Sequence, residues 1–402
     1  MSAHQTKQLT PLDEALGLAL EAAEPLEGTE VVSVPSATGR VVAETVRAEA
    51  DVPPFDRAAM DGYAVKAADT VGAPVILTCV ERVYAGEETS LSVEPGTCIA
   101  VATGAPMPAG ADAVVMVEHT EATGEAVRIL KPIETGRNAA PRGEDIRAGE
   151  VVIESGVLLN PARLGAFAAV GRSTVLVYAK PSAVVIPTGK EIVPPGEGPL
   201  GPGQIYDINT TTLLASLEEF GAATVAHPVV DDDREALLEV IHRFPEADLI
   251  ILTGGSSVGE RDLLAEVFSE VGSLIFKGIA VKPGKPTLMA RRKGSRQLLV
   301  GMPGYPTSCL TNAYLLLDPL VARIGHRPAP RLQTLELPLA RAVSGGLDRL
   351  QILTVAVAGG QAHPVFKTSG AITSMSRADG YIEIPADSPG LETGAPVLVK
   401  LF

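Results

Sequence analysis

Residues 179–326 constrain the fold more than any other part of this 402-residue chain, because short apolar runs alternate there with segments of helical period. SAVVIPTG reads as a buried strand and DINTTTLLASLEEFG as a helix ended by Gly221. ATVAHPVV is a strand, DDREALLEVIHRF a helix, DLIILTGG a strand and RDLLAEVFSEVG a helix. The strands SLIFKGIAV and RQLLVGMPG follow, then one long helix, PTSCLTNAYLLLDPLVARIG. Strands that are apolar on both faces need cover on both, so the pattern predicts a parallel-rich sheet between helical layers. Ligands in such sheets sit beyond the carboxyl ends of the strands. The glycine-rich and charged loops of this segment fall at those ends.

The flanking text differs. Residues 10–24 (TPLDEALGLALEAAE) have helical spacing behind Thr10, read as the N-cap, with Pro11 in the first helical position. From Val31 to about Leu130, short alternating runs separated by Gly and Pro predict a β-rich region. Residues 141–178 are mixed, with a helix expected from Asn160 to Val170. RPAPR (327–331) is a joint, and the short strands after it fit a small β-barrel.

Charge decides which ligands are reachable. With 33 Lys and Arg against 48 Asp and Glu, the formal charge is −15. That opposes nucleic acid and acidic membranes as partners. No run of 18 apolar residues predicts a membrane span, and no basic-then-apolar start predicts a secretory signal. Cys79, Cys98 and Cys309 lack metal or redox spacing and read as buried reduced thiols of a cytoplasmic protein. An anionic ligand would need locally placed cations, backbone N–H groups or a metal ion.

Four groups of loops meet that need. Thr253-Gly254-Gly255-Ser256-Ser257-Val258-Gly259-Glu260-Arg261-Asp262 joins a strand to a helix, so glycines allow close approach and Asp262 could hold a cation. A plain βα turn explains it equally well, and it is not a P-loop. Lys282-Pro283-Gly284-Lys285-Pro286 cannot be helical and projects two ammonium groups from a stiff turn. Gly301 to Ser308 (GMPGYPTS) opens a helix at a strand end, though the corner alone would need its Pro and Gly. Carboxylates follow other strands: Glu191 after Thr188-Gly189-Lys190, Asp231 to Asp233, and Asp207 with Asn209. Singly each reads as a cap or a solvated loop. Together, carboxylates and lysines on one rim suit a phosphate ester held through a divalent cation. Arg291-Arg292-Lys293 reads instead as an exposed tip between strands. Upstream, Phe55, Met60 and Tyr63 read as core, and the spacing of Asp56, Asp61 and Thr103 assigns them no reaction.

The segments FDRAAMDGYAV, ATGAPMPAGADAVVMVE, RGEDI, PTGKEI, GQIYDIN, TGGSSVGERD, KPGKP, GMPGYPTS and SGAITSMSRADGYIEIP closely resemble the molybdopterin molybdenumtransferase family. That family includes bacterial enzymes and the C-terminal part of gephyrin. The resemblance runs nearly the whole chain. It implies a multidomain α/β fold: an N-terminal helical linker (1–26, 46–53 and 141–178), an inserted β domain (27–45 and 54–140), a molybdopterin-binding α/β domain (179–326) and a C-terminal β-barrel (327–402). It also implies an elongated homodimer, with the β domain of one subunit facing the α/β domain of the other.

The activity implied is insertion of molybdate into adenylylated molybdopterin. Mg²⁺-dependent cleavage of the pyrophosphate bond releases AMP and molybdenum cofactor, and a molybdopterin adenylyltransferase is the implied partner. Matching motif by motif, Asp61, Thr103, Glu191, Asp232, Asp262, Lys282 and Lys285 fall at catalytic positions. Gly254, Gly255, Ser256, Ser257, Gly259, Pro303, Gly304, Pro306 and Ser308 fall where substrate is held. Glu191, Asp232 and Asp262 would organise Mg²⁺, and Ser308 would donate to the oxyanion. Three departures bear on anion selectivity: Lys190 where the family writes a carboxylate, Tyr305 where it writes Asn, and Ser256 in the Gly-rich loop. The family also places an Arg of the C-terminal domain near molybdate, and Arg349 and Gln351 compete for that position. A tungstate-preferring homologue, an adenylyltransferase and a scaffold without catalysis are the alternative readings. The matched N-terminal blocks oppose the second, and the intact charged loops oppose the third.

Overall fold

The strand–helix alternation folds into one six-stranded sheet. A computed structural model describes residues 9–254, 260–330, 332–346 and 348–402, with the side chains of 260–262 outside the description. The strand order is Ala223–Ala226, Ser182–Pro187, Leu249–Thr253, Leu298–Met302, Leu288–Arg292, Gly272–Lys277. The first four are parallel, and the last two each run antiparallel to their neighbour. The Arg291–Lys293 tip joins two of these strands, as its composition predicts. Arg291 there pairs with Glu24 at 2.5 Å.

Successive residues along each strand serve opposite faces, as a period of two requires. Val185, Ile251 and Val300 pack with Ala15, Ala19, Leu213, Leu217 and Leu316, drawn from helices on one face. Val184, Ile250 and Leu299 pack with Leu237, Ile241, Val267 and Phe268 on the other. Ile250 and Ile251 are both fully buried, so truncating either to Ala would cost about 2–5 kcal/mol.

The helices depart from the sequence reading at two places. Leu12–Ala22 begins after Pro11, which is the N-cap and makes no side-chain cap bond. Thr10 instead pairs with residue 279: its N–H donates to the Gly278 carbonyl (3.1 Å), and its carbonyl accepts from Ala280 (2.8 Å). This helix therefore packs on the α/β sheet through Ala15 and Ala19, not within the linker to which 1–26 was assigned. The run after Pro306 is not one regular helix. Ala313–Leu317 is π-helical between Pro306–Asn312 and Asp318–Ile324. Pro319 has no N–H to donate, and the widened turn absorbs the missing bond.

The β region also divides differently. Thr29–Ser33 pairs with Thr174–Tyr178, and Val46–Arg47 pairs with Val151–Ile153. Val34, Val42, Ile153, Phe167 and Val177 share one core, so residues 27–45 pack with the linker and not with the β insert. The expected helix is present as Pro161–Ala169, capped by Asn160, whose side chain accepts the Arg163 N–H at 3.0 Å.

The insert is a six-stranded sheet in which Gly62–Val65 lies between Ala113–Met116 and Thr97–Val101. Tyr63, Val65 and Val115 serve one face of that sheet, and Ala64, Ile99 and Val114 the other.

After residue 330 the chain forms the expected barrel. Leu350–Ala358, Gly380–Ile384, Pro396–Leu401 and Thr334–Pro338 pair in turn, and a Leu339–Ala362 bridge closes the ring. One strand of this sheet comes from elsewhere. Val281–Lys282 of the α/β domain pairs in parallel with Leu350 and Gln351. Among the described residues no helix is long and apolar enough to cross a membrane.

Candidate active site

Main-chain bonds lace three strand ends into one rim. The Thr188 N–H donates to Thr253 (2.7 Å), Gly189 to Val230 (3.1 Å) and Val230 to Pro187 (2.9 Å). These bonds bring Glu191, Asp232 and Gly254 to a common edge. Gly254 has φ +119°, and a Cβ there would strike the Thr188 carbonyl, so conformation and space both demand glycine. The Glu191 carboxylate folds back over Gly189, where a Cβ would lie 2.7 Å from each of its oxygens.

Capping accounts for two of the acidic residues. Asp233 accepts from the Ala236 N–H and Asp207 from the Thr210 N–H, both at 3.0 Å. Such bonds satisfy helix N-termini and commit Asp207 and Asp233 to them, while Glu191 and Asp232 remain the expected cation ligands of this edge. Both donor sets are oxygen only, which fits a hard cation such as Mg²⁺. Among the described residues no cluster of three or more His, Cys, Asp or Glu is arranged to hold a metal. The third expected carboxylate, Asp262, has its side chain outside the described residues, as do Gly255, Ser256, Ser257 and Gly259.

The basic side of the rim is held from below. Lys282 and Lys285 are exposed while Pro283 and Gly284 between them are buried. The Asn312 Nδ2 donates to the Gly284 carbonyl (2.8 Å) and to Thr287 Oγ1 (2.6 Å), and Thr287 Oγ1 donates to the same carbonyl (3.1 Å). A second asparagine acts on the neighbouring loop: the Asn209 Nδ2 donates to the Gly304 carbonyl at 2.9 Å. Pro303, Gly304 and Pro306 thus follow the Leu298–Met302 strand into the rim, with Ser308 only 4% exposed inside the first helical turn. Tyr305 is 60% exposed.

The barrel reaches the same rim. Gln351 pairs in register with Lys282, and its Oε1 is buried with no hydrogen-bond partner among the described residues. A Cβ on Gly346 would lie 3.5 Å from that oxygen and 3.8 Å from Lys282 Cδ. Arg349 is engaged with Asp348, Nε to Oδ2 at 3.0 Å. Gln351, of the two competitors, is therefore the residue placed beside Lys282. Further along, Thr307 donates to the barrel through its N–H to Ser369 and its hydroxyl to Ala371, both at 3.0 Å. Nothing in the sequence of this SGAITS segment singles out a site residue. Asn209 was legible only as the companion of Asp207, and Asn312 not at all, although a carboxamide inside the apolar run CLTNAYLLL was a visible signal.

Asp61 and Thr103 meet within the β insert. Asp61 Oδ1 accepts the Thr103 N–H at 2.7 Å and the Thr103 hydroxyl at 3.0 Å. These bonds, the backbone one foremost, hold the Asp61 carboxyl below its ordinary range and keep it ionised. Of the three neighbours read as core, only Tyr63 is buried. Phe55 and Met60 are 42% and 44% exposed, because the turns that present Asp56 and Asp61 carry them off the sheet.

A mixed α/β sheet with carboxylate, glycine and lysine loops on one rim, joined there to a barrel of the same chain, defines a multidomain α/β protein with a mixed-charge ligand site. The comparisons with known proteins agree. Residues 10–171 match the MoeA N-terminal region (domain I and II), 184–323 a probable molybdopterin binding domain, and 336–402 the MoeA C-terminal region (domain IV). Molybdopterin molybdenumtransferase 2 of Mycobacterium tuberculosis is 33% identical, over 94% of this chain and 96% of that protein. The molybdopterin molybdenumtransferase of Bacillus subtilis is 30% identical, over 98% and 94%. The crystal structure of a molybdopterin biosynthesis protein MoeA from Pyrococcus horikoshii OT3 superimposes with a TM-score of 0.84 at 32% identity, covering 98% of this chain and 100% of that one. The chain belongs to the molybdopterin molybdenumtransferase family.

Proposed function

We propose that this protein inserts molybdate into adenylylated molybdopterin, cleaving the pyrophosphate bond and releasing AMP and molybdenum cofactor. The observation that carries the reading is the strand register that sets exposed Lys282 beside Gln351, whose buried Oε1 has no partner among the described residues, on a rim whose other side bears Glu191 and Asp232. In a chain of charge −15, a site for an oxyanion has to be assembled locally, and this rim supplies the cations.

Lys282 and Lys285 neutralise the oxyanion, while Ser308 and the Gln351 carboxamide orient it. The Gly254 to Gly259 loop together with Pro303, Gly304 and Pro306 holds the pterin nucleotide. Glu191, Asp232 and Asp262 hold Mg²⁺ in this reading. The ion supplies charge neutralisation on the diphosphate. Asp61 and Thr103 belong to the site of the second subunit in a homodimer. The exposure of Phe55 and Met60 beside Asp61 supports a covering partner surface there. The same reading gives a cytoplasmic enzyme supplied by a molybdopterin adenylyltransferase.

The test is incubation of purified protein with adenylylated molybdopterin, Mg²⁺ and either molybdate or tungstate, measuring AMP release and metal retained on the pterin. AMP release that depends on molybdate is the expected result. Release that depends on tungstate alone would make this the tungstate-preferring relative. No release with either oxyanion would remove the catalytic reading.

A further inference from the structure

Asn312 is an expensive residue where it stands. It is fully buried, and its neighbours Cys309, Ala313, Leu315, Leu316 and Leu317 are apolar core. Its Oδ1 has no hydrogen-bond partner among the described residues, an omission that costs about 1–3 kcal/mol. A leucine would avoid that cost. What the carboxamide has and leucine lacks is its two N–H donors, and both go to one segment: the Gly284 carbonyl and the Thr287 hydroxyl.

The consequence lies on the other side of the peptide plane. The Gly284–Lys285 bond is not among the cis peptides, so the Gly284 C=O and the Lys285 N–H point in opposite directions. Asn312 and Thr287 draw the carbonyl inward, which turns the Lys285 N–H outward, to the side on which Lys282 and Lys285 are exposed. Glycine is required at the pivot: Gly284 has φ +114°, and a Cβ there would collide with the Asn312 carboxamide. Asn209 holds the Gly304 carbonyl in the same way, and its Oδ1 is likewise buried without a partner.

We propose that Asn312 is a positioning residue for oxyanion binding: it fixes the Gly284–Lys285 peptide so that the Lys285 N–H becomes a third donor beside the two lysine ammonium groups. The ligand class is a tetrahedral dianion, and the inference rests on the proposed function for which dianion that is.

The test compares full-length wild type with Asn312→Leu and Asn312→Asp, the latter keeping the shape and removing the donors. Molybdate-dependent AMP release is measured at varied molybdate and varied pterin nucleotide, alongside thermal unfolding. The KM for molybdate should rise about tenfold, the worth of one hydrogen bond to a charged group, while kcat at saturating molybdate and the nucleotide KM stay within about threefold. A merely structural role would lower the unfolding temperature and disturb all three constants together. Should the Asn312 variants fail to fold, Thr287→Val removes the second bond to the same carbonyl and should show a smaller rise in the same constant. A folded variant with an unchanged molybdate KM overturns the proposal.

Calorimetric titration of tungstate alone separates this inference from the reading it rests on. Weaker binding by a folded variant, with a wild type that releases no AMP, keeps the positioning role and removes the catalytic one. Equal binding, with an active wild type, does the reverse.

Discussion

Lys282 and Gln351 stand side by side on a parallel strand pair that joins the α/β domain to the barrel, and nothing described satisfies the Gln351 Oε1. A buried carbonyl oxygen without a donor costs about 1–3 kcal/mol, so a water bridging it to the oxyanion, which has no proton of its own to donate, would be retained there. Gln351→Leu should therefore leave the protein as stable as wild type, or slightly more so, and raise the molybdate KM several-fold. Thermal unfolding together with steady-state AMP release checks this. A variant with a lower unfolding temperature and an unchanged KM would show that the carboxamide serves the fold alone.

The two lysines are exposed, and no hydrogen bond or ion pair of the described residues depends on their ammonium groups. Lys282→Ala and Lys285→Ala should fold normally yet lose about a hundredfold in turnover at limiting molybdate. Full molybdate insertion by both variants would remove the lysines from the site.

Asp61 and Thr103 bond to each other inside the β insert, whereas Lys282 and Glu191 lie on the sheet rim. If the site is shared across a homodimer, Asp61→Asn and Lys282→Ala damage opposite contributions to it. Mixing the two inactive variants under exchange conditions should restore about a quarter of wild-type activity, since half the dimers then hold one intact site. Activity no higher than that of the separate variants would place Asp61 in the site of its own subunit or outside catalysis.

Asp318 sits at the joint between the α/β domain and the barrel, beside a cavity of about 400 Å³ lined by Glu219, Phe220, Tyr314 and Phe402. Burial pushes its carboxyl up to about 6; Arg327 opposes the shift and Glu219 adds to it. A raised carboxyl pKa means the ionised form penalises the folded state. That penalty is complete above pH 6, fades as pH falls through 6 and is gone below 3.8, the ordinary value. Asp318→Asn should thus stabilise the protein by about 1 kcal/mol at pH 7.5, after allowance for solvent screening, and by almost nothing at pH 4. Denaturant unfolding at the two pH values measures it. An equal gain at both would point to packing and not to charge.

Much of this architecture is written locally. The apolar runs of 182–187, 249–253 and 298–302 can only be buried strands, and Asn160, Asp233 and Gly221 mark helix ends by their own capping chemistry. The order of glycine, lysine and carboxylate loops along these strands also fixes which residues share the carboxyl rim, because parallel strands all end on one edge. Composition adds the requirement that an anion be bound by local charge.

Partnership between distant segments was beyond such reading. Residues 29–33 alternate as any strand does, and only packing shows that their mate is 174–178 and not the β insert beside them. Gln351 and Arg349 are equally polar on paper; the register with Lys282 separates them, and register is a property of two strands together. Asn312 gains its meaning from Gly284, a residue on another loop. Periodicity and capping act within a few residues, so sequence determines the elements and the edge on which the chemistry lies. Which side chains finally meet there depends on close packing over long separations, and tertiary structure alone decides it.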